Sequence, residues 1–240
     1  MRQIVKGRMT RVGLKPAFST EKAHEAQRRL SEHIISDDKV PQRIRLIGGV
    51  DVAYVEGASI AAVAVLDFGS MKLKESQTAV CPTRFPYIPT LLAFREIPPA
   101  LMCIQKLRVQ PDIFLVDGHG FAHPYRCGFA SHLGLVMRKP TIGVAKGILV
   151  GEVERTNVEG DIAFIHDKGE VIGAQIISKR GLKPICVSVG HMISLGTAIK
   201  IVKRCTLCNR VPEPVLQAHR IATAEKRKAN ISTSAITSNE

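Results

Sequence analysis

The sequence predicts an α/β domain built on one mixed sheet, and three observations carry that prediction. Residues 44–80 read as three consecutive strands joined by tight turns, the pattern of an antiparallel meander. The run Ile113, Phe114, Leu115, Val116 is apolar at every position, as a central strand covered on both faces must be. Beyond it, short apolar runs alternate with helical patterns. With no internal repeat and no linker, a single domain over 1–240 is expected, preceded by a basic segment over 1–18 and ending in a flexible tail over 229–240.

Each element has its own signal. Ser19 or Thr20 can cap a helix whose stripe is Ala23, Ala26, Leu30 and Ile34. From Ile44 a period of two places Leu46, Gly48, Val50, Val52 and Tyr54 on one face of a first strand. Glu56-Gly57 turns the chain into Ile60 to Leu66, and Phe68-Gly69-Ser70 turns it into Lys72 to Val80. Pro89 stands where a first helical turn tolerates proline, and Leu91 to Arg95 read as helix until Pro98-Pro99 interrupts it; a second piece runs from Ala100 to Leu107. A helix from Arg126 to Met137, a strand from Thr141 to Val144, a strand pair across 161–177 turning at Lys168-Gly169, and a strand from Ile185 to Val189 follow. Ser194 caps a helix to Lys203, and Glu213 to Lys228 forms the last.

Composition narrows the class. Of 240 residues 45% are hydrophobic and 23% charged, and mean hydropathy is +0.07, which excludes disordered, collagenous and coiled-coil chains. No apolar run reaches the ~18–20 residues of a membrane span, and Met1-Arg2-Gln3 leads into a basic, broken segment unlike a signal peptide. Six cysteines scattered through a large domain suit reduced thiols and a cytoplasmic location better than a disulfide framework. Lys and Arg number 34 against 21 Asp and Glu, a net +13 that suits a polyanionic partner such as nucleic acid. The plainer reading, a generally basic protein of the kind many thermophiles contain, stays open on charge alone. A monomer is the default.

Three acids stand out. Asp51 lies mid-strand between Val50 and Val52, so it points to the other face, where small Gly49 and Ala53 leave room beside it. Asp117 ends the most hydrophobic strand and precedes Gly118-His119-Gly120, where open α/β sheets place ligand-binding groups. Glu96 follows Leu92 by one helical turn, at the edge of an apolar stripe. Three acids on two strands and a helix of a basic protein match the needs of a Mg²⁺ or Mn²⁺ site for phosphodiester hydrolysis, because the ion lets carboxylates approach a phosphate that would otherwise repel them. Each also has a plain reading: a strand-edge acid, a solvated helix residue, an Asx turn. Lys146, after Thr141 to Ala145, can hold a scissile phosphate or simply be exposed. His119, His123 and His132 lack zinc-ligand spacing, and Cys205/Cys208 form a single CxxC without a second pair.

The segments IGGVDVAY (47–54), PYIPTLLAFRE (86–96), VDGHGFAHPYRCGFASHLGL (116–135), KPTIGVAKG (139–147), VGHMISL (189–195) and RVPEPVLQAH (210–219) occur in order, and together they closely resemble endonuclease V. The resemblance implies an RNase H-like fold, and an enzyme that recognises deaminated bases, chiefly deoxyinosine in DNA and in some members inosine in RNA. Such enzymes hydrolyse the second phosphodiester 3′ to the lesion, leaving 3′-hydroxyl and 5′-phosphate ends. It also implies that Asp51 and Asp117 bind Mg²⁺ with Glu96 completing the site directly or through water, that Lys146 contacts the phosphate, and that His123 and His219 line the catalytic cleft. Pro86, Tyr87, Ile88 and Pro89 then form a strand-separating wedge. Leu92, Gly118, Gly120 and Gly128 fall in the base pocket, together with two departures from the family pattern. Thr90 replaces the usual glycine after the wedge, which tightens the pocket if that position needs positive φ. His119 replaces the usual Gln or Asn, a group expected to change charge between about pH 5 and 8. A ribonuclease for inosine-containing RNA and a non-catalytic inosine-binding protein are the competing readings.

Overall fold

The computed structural model describes residues 19–153, 161–177 and 181–237, with side chains to residue 230. The basic segment over 1–18 therefore lies outside the described residues. Helix α1 (Thr20–Ser31) starts at Ser19, whose side chain accepts from the Lys22 amide. Strands β1 (Leu46–Val55), β2 (Ala58–Asp67) and β3 (Leu73–Pro82) form the expected antiparallel meander. Helix α2 (Leu92–Ile104) leads to β4 (Ile113–Asp117), α3 (Phe129–Met137) and β5 (Thr141–Ala145). Then come β6 (Glu152–Val153), β7 (Ile162–Asp167), β8 (Glu170–Ile176), β9 (Ile185–His191), α4 (Leu195–Cys205) and α5 (Glu213–Thr237).

All strands join one mixed sheet, ordered β3-β2-β1-β4-β5-β9-β8-β7-β6. β4 is parallel to β1 and β5, and β9 returns antiparallel to β5. Alternation along the strands splits the core. Ile47, Ile113, Leu115 and Ile142 face α4 and α5, packing with Ile199, Val202, Val215 and Ala218. Val50, Val63, Phe114 and Val116 face α2 and α3, packing with Ile97, Ala100, Phe129 and Leu133. Helices thus cover both faces, as the RNase H-like expectation requires. No helix among the described residues is long and apolar enough to cross a membrane.

The differences from the sequence reading are local. α2 runs unbroken through Pro98 and Pro99. The stripe Ala93, Ile97, Ala100, Cys103 and Ile104 is buried against the sheet, and this packing carries the helix through a defect that intrinsic propensity resists. α2 also begins only at Leu92, since Ile88 to Leu91 form a turn closed by the Leu91 amide on the Ile88 carbonyl at 3.0 Å. α3 starts at Phe129 rather than Arg126, because Arg126 sits at φ 54°, outside helical space. The two-residue β6 has no periodicity to reveal it, and α5 continues past Lys228 to Thr237.

Candidate active site

The parallel register pairs Val50 with Val116, so the next residues, Asp51 and Asp117, stand side by side on the α5 face of the sheet. The room expected over Gly49 is filled: a Cβ there would lie 1.9 Å from the Pro214 carbonyl oxygen. Only glycine lets the start of α5 settle directly on β1. That contact brings His219, one turn along α5, to Asp51, with Nδ1 2.8 Å from Oδ2. Lys146, two residues past the Val144 that pairs with Asp117, donates from Nζ to Asp117 Oδ2 at 3.0 Å. Arg210 ties the segment before α5 to this corner by donating to the carbonyls of Lys146 and Pro184.

Asp51, Asp117 and His219 each offer a ligand atom within 4.8 Å of the others. Burial raises the Asp117 pKa, and the charge of Asp51 pushes it the same way against the pull of Lys146. Two mutually repelling carboxylates with an imidazole beside them are a donor set that fits a small divalent cation. The cleft above them, about 520 Å³, continues along α5 past Thr223, Lys226 and Arg227.

Glu96 stands apart from that triad. It comes from α2, on the opposite face of the sheet, where Tyr54 donates to its Oε1 at 3.1 Å while Oε2 is buried without a partner among the described residues. Burial drives its pKa well above the carboxylate range, and the charges of Asp51 and Asp117 add to this. The carboxyl is therefore near the acidic pair and reaches it from behind the strand ends.

Glu96 also lines a second, largely apolar pocket of about 180 Å³ with Tyr87 to Thr90, Leu92, Ala93, Gly118, His119, His123, Gly128, Phe129 and Leu149. Tyr87 is 69% exposed at the tip of the segment that overhangs this pocket. Acidic cleft and apolar pocket meet at Asp117-Gly118.

The sequence profile described as Endonuclease V matches residues 28–220, four-fifths of the chain, including Asp51, Glu96, Asp117, Lys146 and His219. The chain belongs to the endonuclease V family. It is 43% identical over 211 residues to the Endonuclease V of Thermofilum pendens, covering 88% of this chain and 90% of that one. The crystal structure of the Streptomyces avermitilis Endonuclease V superposes with a TM-score of 0.82 at 34% identity, covering 88% of this chain and 95% of that chain. The Ciona intestinalis Endonuclease V, solved in complex with a 24mer DNA containing an inosine followed by a ribo-adenosine, superposes with a TM-score of 0.79 at 34% identity, covering 87% of this chain and 98% of that chain.

Within this family member the departures fall on the pocket. Thr90 does adopt positive φ, 72°, at the third position of a turn whose second residue is Pro89, as in a type II turn. A β-branched residue there is strained, and the surroundings hold it. Its carbonyl accepts from Gln27 Nε2 at 2.8 Å and from His123 Nε2 at 3.0 Å, while its Oγ1 lies 3.0 Å from His24 Nε2 and donates to the Pro89 carbonyl. His123, expected in the cleft, thus belongs to the apolar pocket, as a neutral ring whose Nδ1 accepts from the Tyr125 amide. Burial holds its pKa down to about 4.

His119 lines the pocket with Nδ1 buried and without a partner among the described residues, and burial takes its pKa down to about 4. The expected change of charge between about pH 5 and 8 is therefore absent in the free protein. Gly120 does not line the pocket. A Cβ there would meet the Val189 carbonyl oxygen at 2.1 Å, so its smallness serves the packing of this loop on β9. Gly128 keeps its expected place. Gln27, His24 and Leu149 were not singled out from the sequence, and Tyr54 was read there only as a strand residue.

Proposed function

We propose that this endonuclease is a divalent-metal-dependent enzyme that reads a deaminated base, chiefly deoxyinosine in DNA, and hydrolyses the second phosphodiester on its 3′ side to leave 3′-hydroxyl and 5′-phosphate ends. The observation that carries the reading is the shared border of the two cavities: an acidic cleft for chemistry and an apolar pocket for one flat ring meet at Asp117-Gly118. The Ciona relative's inosine-containing DNA favours the same substrate.

Asp51 and Asp117 would hold a Mg²⁺ or Mn²⁺ ion, with His219 beside them and Glu96 behind. When bound, the ion supplies water activation and offsets the charge that builds on the phosphate. Lys146, already at Asp117, orients a phosphate oxygen entering the cleft. The Pro86 to Pro89 wedge opens the stack, and the pocket under Thr90 takes the extruded base against Leu92, Gly118, His119 and Gly128, excluding water. The ribo-adenosine after the inosine in the Ciona complex favours inosine-containing RNA as a second substrate.

The test is incubation of the purified chain with end-labelled duplex DNA carrying one deoxyinosine, and with a matched inosine RNA, in Mg²⁺ and in EDTA, beside Asp117→Ala. A Mg²⁺-dependent nick one nucleotide beyond the lesion, lost in the variant, is the expected result. Lesion-specific binding without any cut in Mg²⁺ or Mn²⁺ would leave a non-catalytic inosine binder.

A further inference from the structure

α2 separates two cavities. Leu92, Ala93 and Glu96 line the apolar pocket on one side, while Phe94, Arg95, Pro98 and Met102 line a groove of about 540 Å³ on the other. The chain leading into α2 divides in the same way: Arg84 and Phe85 line the groove, Tyr87 to Thr90 line the pocket, and Pro86 lies between them. The wedge therefore borders the pocket, and the two residues before it border the groove.

The groove has the chemistry of a base-stacking platform. The rings of Phe85 and Phe94 lie 5.6 Å apart and 18° from parallel. The Arg95 guanidinium sits 4.0 Å over the Tyr54 ring, with Nε buried and without a partner among the described residues. Arg84 is exposed, and among the described residues no acidic one lines the cavity. Flat rings and guanidinium planes without carboxylates suit an unpaired nucleobase and its phosphate, and stacking of this kind tolerates any base.

We propose that this groove receives the base opposite the lesion, orphaned when the wedge splits the pair. One cavity then serves each separated strand, and the enzyme recovers part of the unstacking energy on the strand it does not cut. This rests on the proposed function, since only a lesion in a duplex leaves an orphaned base.

The test compares three ligands for the full chain in EDTA by fluorescence anisotropy: a duplex with one deoxyinosine, the same duplex with an abasic site opposite the lesion, and the lesion strand alone. Arg84→Ala removes an exposed guanidinium, and Phe85→Leu removes a ring while keeping apolar bulk. Each should weaken binding of the intact duplex roughly tenfold, as expected for one stacked base, and leave the other two ligands within about twofold. Steady-state cleavage should show the same split, with KM for the intact duplex raised and kcat unchanged. Equal losses on all three ligands, or none on any, would overturn the groove assignment alone. A wild-type protein that does not prefer the deoxyinosine duplex to an unmodified one would overturn the proposed function and the groove together.

Discussion

Gln27 Nε2 lies 2.8 Å from the Thr90 carbonyl oxygen across 63 residues of chain, and also donates to the Cys127 carbonyl at 3.0 Å. A fully buried amide on α1 thereby fastens the trailing end of the wedge to the loop that forms the pocket floor. Gln27→Leu takes the side-chain donor from the Cys127 carbonyl and leaves the Thr90 carbonyl to His123 alone, and is expected to lower unfolding free energy by about 2 kcal/mol and to raise KM for a lesion substrate more than it lowers kcat. Urea denaturation and steady-state cleavage together check this.

Thr90 sets relief of backbone strain against loss of a hydroxyl contact. Thr90→Gly should stay within about 1 kcal/mol of wild type, because the freed φ offsets the lost His24 contact and the added freedom of the unfolded chain. Thr90→Val keeps the strain and loses the contact, so it should fall further, by more than about 1 kcal/mol. Matching denaturation curves for the two variants would contradict this account.

Burial and the charge of Asp51 both raise the Asp117 pKa, so the charged form of this carboxyl carries a cost. Asp117→Asn should raise the melting temperature of the protein in EDTA while reducing cleavage in Mg²⁺ by ~10²-fold or more. Stability and activity moving in opposite directions is the signature of a site strained for function.

Burial holds the His132 ring at a pKa of about 4, against 6.5 in the unfolded chain. The unfolded chain therefore binds the extra proton first: stability is full above pH 6.5, falls as pH drops toward 4, and changes no further from this ring below that. The gap is worth roughly 3 kcal/mol. His132→Phe keeps a ring against Phe94 and should flatten that part of the acid limb in calorimetry between about pH 7 and 4.5.

His119 is neutral over the same range, held near 4 by burial. Wild type and His119→Gln should give coincident pH profiles for binding a deoxyinosine duplex from about pH 5.5 to 8. A divergence at the acid end would mean that bound nucleic acid, not the free pocket, sets this ring's proton.

What the sequence could and could not tell follows from the range of each signal. Period-two alternation and the Asp117-Gly118 strand end are local, so the meander, the central strand and each strand acid could be read from residues alone, whereas the side-by-side placing of Asp51 and Asp117 belongs to the β1–β4 register. Glu96 was found as a carboxylate but not as one approaching from the α2 face, because a face is a tertiary property. Gln27 and His24 gave no sign. They precede the stretch matched by the family profile, and polar residues on a basic, amphipathic helix look solvated until another segment covers them. Pro98-Pro99 misled for the converse reason: packing along a buried stripe overrode a strong local breaker.

Asp117 and Gly118 are consecutive, the first facing the acidic cleft and the second the apolar pocket. A single peptide bond thus spans the border between the cavity proposed to read a base and the cleft proposed to break a bond. The interval between them behaves as a fixed gauge rather than a hinged arm. Under the proposed function, longer loops or a displaced wedge would change which bases enter and how fast, while the count of nucleotides from lesion to cut would stay anchored in the end of one buried strand.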